Sequence, residues 1–104
     1  MPRIDRLKEF LEDDPNDAFS RYALALEYIK IDCYTEALDE FETVIQNDGN
    51  YIAVYYQLAK AYEHEGRLDN AERTYRSGMD AASRVGDTKT MEELSQALQM
   101  LLGA

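Results

Sequence analysis

Cys33 and His64 are the single cysteine and the single histidine of this chain, and together they make its one possible thiol–imidazole couple. A thiol within hydrogen-bond reach of an imidazole, with a third group orienting the ring, would supply a thiolate able to attack a carbonyl carbon. No orienting motif and no glycine-rich loop stands beside either residue, so both read as ordinary packing and surface choices. A structural zinc site asks for four cysteine or histidine ligands, and two such residues are present. Asp13, Asp14 and Asp17 cluster around Pro15. Without the central glycine and distant glutamate of a calcium loop, they read as an exposed acidic run that starts a helix. No sequence cradles a phosphate. These residues point to no catalytic group, no cofactor and no metal, and the chain is read as a protein that is not an enzyme.

The charge balance narrows the partners. Eleven basic residues against 21 acidic ones leave a net charge of −10, which repels a phosphate backbone and argues against nucleic acid. The acidic surface reads first as a device for solubility, including in a salty cytoplasm, and second as a lure for a basic partner. No run of eighteen apolar residues occurs, and the stretch from Met1 to Arg6 lacks the apolar core of a secretory signal. The expectation is one domain over residues 1–104, in the cytoplasm and off the membrane. A lone cysteine, unable to form an internal disulfide, fits a reducing compartment.

An internal repeat sets the elements. Laying residues 18–51 over residues 52–85, an offset of 34, pairs Tyr22 with Tyr56, Leu24 with Leu58, Ala25 with Ala59, Tyr28 with Tyr62, Ala37 with Ala71 and Phe41 with Tyr75. Within each unit the spacing is helical. Leu24, Ala25, Tyr28 and Ile31 share one stripe, and Ala37, Leu38, Phe41, Val44 and Ile45 repeat the three-and-four step. Gly49, Gly66 and Gly86 follow helical stretches. Thr35 and Asp69 are the expected N-caps, Asp69 with Glu72 three residues on.

These residues resemble the tetratricopeptide repeat, whose period is 34 and whose pattern runs from a large residue through Leu-Gly, Tyr and Ala to an aromatic and Pro. The second unit reads Tyr55, Leu58-Ala59, Tyr62, Gly66, Ala71 and Tyr75. The first reads Arg21, Leu24-Ala25, Tyr28, Ala37 and Phe41, with Asp32 in place of the turn glycine. Alanine replaces the packing glycine in both, and Gly49 and Ser83 stand where the closing proline belongs. Pro15 lies 34 residues before Gly49, so Leu7, Phe10 and Leu11 look like the second half of a preceding repeat. The resemblance implies an all-α fold, a right-handed stack of antiparallel helical hairpins. A half-repeat spans 3–17, two repeats span 18–51 and 52–85, and a capping helix spans 87–104. The cap carries Met91, Leu94, Leu98, Leu101 and Leu102 on one stripe and Glu92, Glu93, Ser95 and Gln99 on its polar sides. Six helices make three pairs, enough for a stack, so the chain is expected to be complete.

The first helix of the first repeat has two apolar sectors. Leu24, Ala25 and Tyr28 carry the matched packing positions, while Phe19, Tyr22, Leu26 and Ile29 fill a second sector. The resemblance places such a sector on the concave side, with Ala53, Tyr56, Lys60 and Glu63 as its counterparts in the next repeat. The expected partner-binding groove is therefore Phe19, Tyr22, Leu26, Ile29, Tyr56, Lys60 and Glu63. Phe19 and Ile29 read equally well as packing under the half-repeat. Tyrosine adds contact area with few rotatable bonds, which favours Tyr22 and Tyr56 as anchors.

Relatives that bind acidic chaperone tails use Lys and Asn on these helices. Neither inner helix here holds an asparagine, so that activity is not expected. The resemblance implies a module that binds a peptide or helix of another protein. The alternative is a self-associating structural or accessory subunit, forming a weak homodimer at most. Residues 18–51 carry a balance of −5 while residues 52–85 hold five charges of each sign, and Glu36, Asp39, Glu40 and Glu42 are expected to face outward as a solvated side.

Overall fold

The computed structural model of the chain describes residues 2–103. Among them every regular element is an α-helix: α1 (Pro2–Asp13), α2 (Ala18–Lys30), α3 (Tyr34–Asn47), α4 (Ala53–His64), α5 (Leu68–Arg84) and α6 (Thr88–Leu102). The chain divides at Asp48 and Gly49 into two compact units, α1–α3 and α4–α6.

The same kind of turn joins α2 to α3, α4 to α5 and α5 to α6. Asp32, Gly66 and Gly86 adopt left-handed φ values of 60°, 72° and 76°, where glycine has no Cβ penalty and aspartate is among the tolerated residues. The next N–H then reaches back five residues: Cys33 to the Tyr28 carbonyl (2.9 Å), Arg67 to Tyr62 (2.9 Å) and Asp87 to Ala82 (2.8 Å). Reversing the chain so tightly starts the following helix early. The N-caps are therefore Cys33 and Arg67, not the expected Thr35 and Asp69. Neither contributes a side-chain cap; each gives only its carbonyl, to the N–H of Ala37 or Ala71. Glu72 closes no capping box and instead pairs with Arg76 at 3.0 Å. Asp87 does cap α6, its Oδ1 accepting the Thr90 N–H at 3.1 Å. The Thr90 side chain, and then its N–H, hold the Asp87 carboxyl below the usual carboxylate range.

In the first unit α2 lies between α1 and α3. Ile4 and Leu11 pack on Leu24, with Leu7 and Tyr28 at the margin. Ala25, Ala37, Phe41 and Val44 are completely buried. Ile31 leaves the expected stripe: it caps α2 at the turn and is 48% exposed. Glu27 is buried between Arg3 (3.2 Å) and Lys30 (3.0 Å), tying α1 to α2. The hydrogen bond from Lys30, with a smaller contribution from Arg3, holds its carboxyl below the ordinary range despite burial. Glu40 also departs from expectation, because it is half-buried and joined to Arg21 of α2 at 2.7 Å.

In the second unit α5 packs on both α4 and α6, around Ala59, Tyr75, Leu94, Ala97 and Leu98. Gly78 of α5 sets the approach, since a Cβ there would stand 2.6 Å from the Tyr55 Cβ and 2.9 Å from the Leu94 Cδ1. The first unit has Arg21 and Val44 at the matching positions, a larger residue opposite a different first-helix side chain. The buried stripe of α6 is Leu94, Ala97 and Leu98. Leu102 is 51% exposed because α6 is covered chiefly from the α5 side. This stripe repeats Leu58, Ala61 and Tyr62 of α4 at a spacing of thirty-six residues, which makes α6 a third first-type helix.

Candidate functional site

Tyr56 and Lys60, one helical turn apart on α4, share a cleft with Glu93, Gln96, Ala97 and Met100 of α6, enclosing about 420 Å³. Both helices are fastened behind the cleft to α5, so these side chains stand on a rigid support. Tyr56 is 40% exposed and Met100 80%. The Tyr56 ring meets Tyr75 edge-on at 6.5 Å, leaving its other side to the cleft. The Lys60 Nζ sits 5.6 Å from the Tyr56 ring centroid and 3.8 Å from Glu63. Glu63, a turn further along, also accepts a hydrogen bond from the Tyr75 hydroxyl. Burial first, and this bond second, push the Tyr75 phenol well above its ordinary pKa. Lys60 is thus engaged with groups of its own helix, and Glu63 and Glu93 give this part of the surface a negative bias.

The other expected groove residues lie on α2 in the first unit. Phe19 is 66% exposed and so does not pack under α1; Tyr22, Leu26 and Ile29 are half-buried. The Tyr22 ring stands 5.9 Å from Phe41, the same relation that Tyr56 has to Tyr75 thirty-four residues on. In both units a tyrosine of the first helix is therefore held by an aromatic of the following helix.

The cleft residues from α6 were not anticipated as a binding surface. The two repeats are spaced by 34 residues, whereas α5 is 17 residues long against 14 for α3, and the pattern of α4 returns in α6 at thirty-six. At that longer spacing Gln96 stands at the position of Lys60. Cys33 is half-buried at the start of α3, and His64 is exposed with its Nδ1 3.1 Å from Glu65. Among the described residues no three metal-binding side chains gather, and no helix is long and apolar enough to cross a membrane.

A family model described as "Tetratricopeptide repeat" matches residues 34–84. The solution structure of a tetratricopeptide repeat domain protein from Salinibacter ruber superposes with a TM-score of 0.82 at 41% identity, covering 86% of this chain and 91% of that one. The TPR2B domain of yeast Sti1, in its complex with pHsp70, superposes with a TM-score of 0.88 at 19% identity, over 96% of this chain and 80% of that one. In sequence the chain is 29% identical over 96 residues to the DnaJ protein P58IPK homolog of Arabidopsis thaliana, matching 92% of this chain but 20% of the plant protein's length.

Proposed function

This chain belongs to the tetratricopeptide repeat family, and from that premise we propose that it is a non-catalytic module that binds a peptide or helix of another protein through the faces of its first-type helices. The observation that carries the reading is the α4–α6 cleft, where exposed Tyr56 and Met100 frame an apolar floor at Ala97. Aromatic and methionine side chains are enriched at protein interfaces and in adaptable binding surfaces.

The ligand this cleft suits is a short segment with an apolar or aromatic anchor and a basic flank. The anchor would rest on Tyr56 and Met100, and the flank would face Glu93 and Glu63. An acidic tail would meet those carboxylates and a net charge of −10. A likeness in fold to the Sti1 domain therefore does not carry its pHsp70 complex over to this chain. Phe19, Tyr22, Leu26 and Ile29 are proposed as the corresponding partner-facing residues of the first unit.

The test is selection of binding peptides from a random twelve-residue display library with the full chain. Selected sequences should combine an aromatic or aliphatic anchor with Lys or Arg. Tyr56→Ala and Met100→Ser should each weaken their binding about tenfold or more, with melting nearly unchanged. Selection of acidic peptides, or binding indifferent to both variants, would defeat the proposal.

A further inference from the structure

Among the described residues Lys60 is the one basic side chain that lines the α4–α6 cleft. It stands at the place of Leu26 in α2, thirty-four residues earlier, and of Gln96 in α6, thirty-six residues on. The fold accepts an apolar, a charged or an amide side chain there, so packing does not require an ammonium group. Nor does Lys60 bridge the cleft. Its Nζ pairs with Glu63 of its own helix at 3.8 Å and lies 5.6 Å from the centroid of the Tyr56 ring, one turn back. Glu93 lines the same cleft from α6, exposed and, among the described residues, without an ion pair.

Both holds on the ammonium are weak. A cation over an exposed ring and a solvent-exposed ion pair each shift an equilibrium by no more than about fivefold. The Lys60 side chain is 45% exposed, on a flexible stem that can swing to water. The groups it touches are nonetheless those of a cation site: an aromatic face, the Glu63 carboxylate beside it and the Glu93 carboxylate across the cleft. Lys60 fills that site incompletely. Its ammonium is a compact charge tethered to the α4 backbone and leaves Glu93 unpaired, whereas a planar guanidinium stacks on a ring while presenting a fork of donors to a carboxylate.

We propose that Lys60 is a displaceable stand-in for the ligand's own cation: an arginine side chain of the bound peptide takes its place on the Tyr56 ring and pairs with Glu93, while Lys60 turns out to solvent. The inference rests on the peptide-binding reading of this cleft and adds which cation the basic flank carries and what competes with it. Two cations cannot share one ring face and the same carboxylates without repulsion, so entry of the arginine and departure of the lysine are a single exchange. The resting contact lowers the apparent affinity by the fraction of molecules in which the site is filled. A lysine that served as a ligand contact would strengthen binding. This one opposes it, so its removal should tighten the complex with a cationic peptide.

The test is a titration followed by nuclear magnetic resonance at the methyl group of Met100. The probes are the acetylated, amidated peptide Gly-Phe-Ser-Arg-Ser-Arg-Gly and its forms with lysine or glutamine in place of both arginines. The parent should bind the arginine form most tightly. Lys60→Met, which keeps the stem and removes the charge, should tighten the arginine form about threefold to tenfold and leave the glutamine form within about twofold. Lys60→Gln, with the residue type that α6 carries there, is the second neutral variant, and circular dichroism checks both folds. Arg73→Met removes an exposed charge of α5 outside the cleft and should change binding by less than about twofold, which separates exchange at this site from overall charge. Glu93→Gln should weaken the arginine form by about threefold or more. Unchanged or weaker binding of the arginine form by both Lys60 variants, or an equal gain for the glutamine form or from Arg73→Met, would overturn the proposal and leave the peptide cleft standing. Failure of every peptide to shift the Met100 resonance at about 10 mM, or binding untouched by Tyr56→Ala, would overturn the cleft reading and this inference with it.

Discussion

Replacing Gly78 by alanine separates two effects that usually point the same way. In an exposed helix the change stabilises by about 1 kcal/mol, because glycine loses more backbone freedom on folding. In α5 the added Cβ would lie 2.6 Å from the Tyr55 Cβ, roughly 1 Å inside the ordinary carbon–carbon contact distance of about 3.5–4.0 Å. The 2.9 Å approach to the Leu94 Cδ1 can be relieved by a side-chain rotation. The Tyr55 contact cannot, since that carbon is fixed to the α4 backbone and relief requires α4 and α5 to part. Overpacking of this kind costs about 1–3 kcal/mol, and a clash with a backbone-anchored atom belongs at the upper end. The net expectation is a loss of about 1–2 kcal/mol, or about 4–16 °C in melting temperature for a domain of this size. Calorimetry reads the loss, and amide resonances in α4 and α6 should shift while those of α1 and α2 stay in place. A Gly78→Ala chain as stable as the parent would show that the spacing of α4, α5 and α6 is not set by this contact.

Other substitutions probe the remaining supports. Leu24→Ala removes a side chain that is 2% exposed and should cost about 2–5 kcal/mol, whereas Phe19→Ser, at an exposed position, should melt within a few degrees of the parent; equal losses would place Phe19 in the core. Tyr75→Phe removes the hydroxyl held by Glu63 and should cost about 1.5 kcal/mol in thermal melting, so an unchanged melting temperature would mean that bond contributes nothing. The folded-state pKa of Glu27 is depressed, so its contribution is fully present above the unfolded carboxylate range and is lost as pH falls through the lower folded value. Melting profiles between pH 7 and pH 2 should accordingly show Glu27→Gln less stable than the parent at neutral pH and equal to it at the acid end; a constant difference across the series would reject the ion-pair account.

The fold was legible because its information is periodic. Leu24, Ala25, Phe41 and their partners thirty-four residues on are buried in both hairpins, and the helical step places each on the packed side without knowledge of the tertiary structure. Helix starts were less legible. Thr35 and Asp69 have good capping chemistry, but the left-handed residue at Asp32 or Gly66 closes the turn two residues sooner, and backbone geometry prevails over side-chain preference. The charge on Glu40 suggested a solvated face. Its ion pair with Arg21 shows that a first-type helix with a basic residue in place of Tyr55 changes what its neighbour must carry.

The candidate site was half legible for a related reason. Tyr56 and Lys60 were legible because they stand thirty-four residues after Tyr22 and Leu26, the first as the same residue and the second as a polar replacement. Their companions on α6 were hidden behind the longer α5, which delays the next first-type pattern by two residues and so removes it from any search at a fixed period. The hidden helix is also the one that closes the α4 cleft, with Gln96 and Met100 exposed on that side. A helix read only as a cap needs one buried stripe and a solvated remainder. Leu94, Ala97 and Leu98 already supply that stripe, so the 80% exposed Met100 is surplus to capping. In the function proposed above, this large apolar side chain, beside Ala97 and opposite Tyr56, is contact area offered to the ligand.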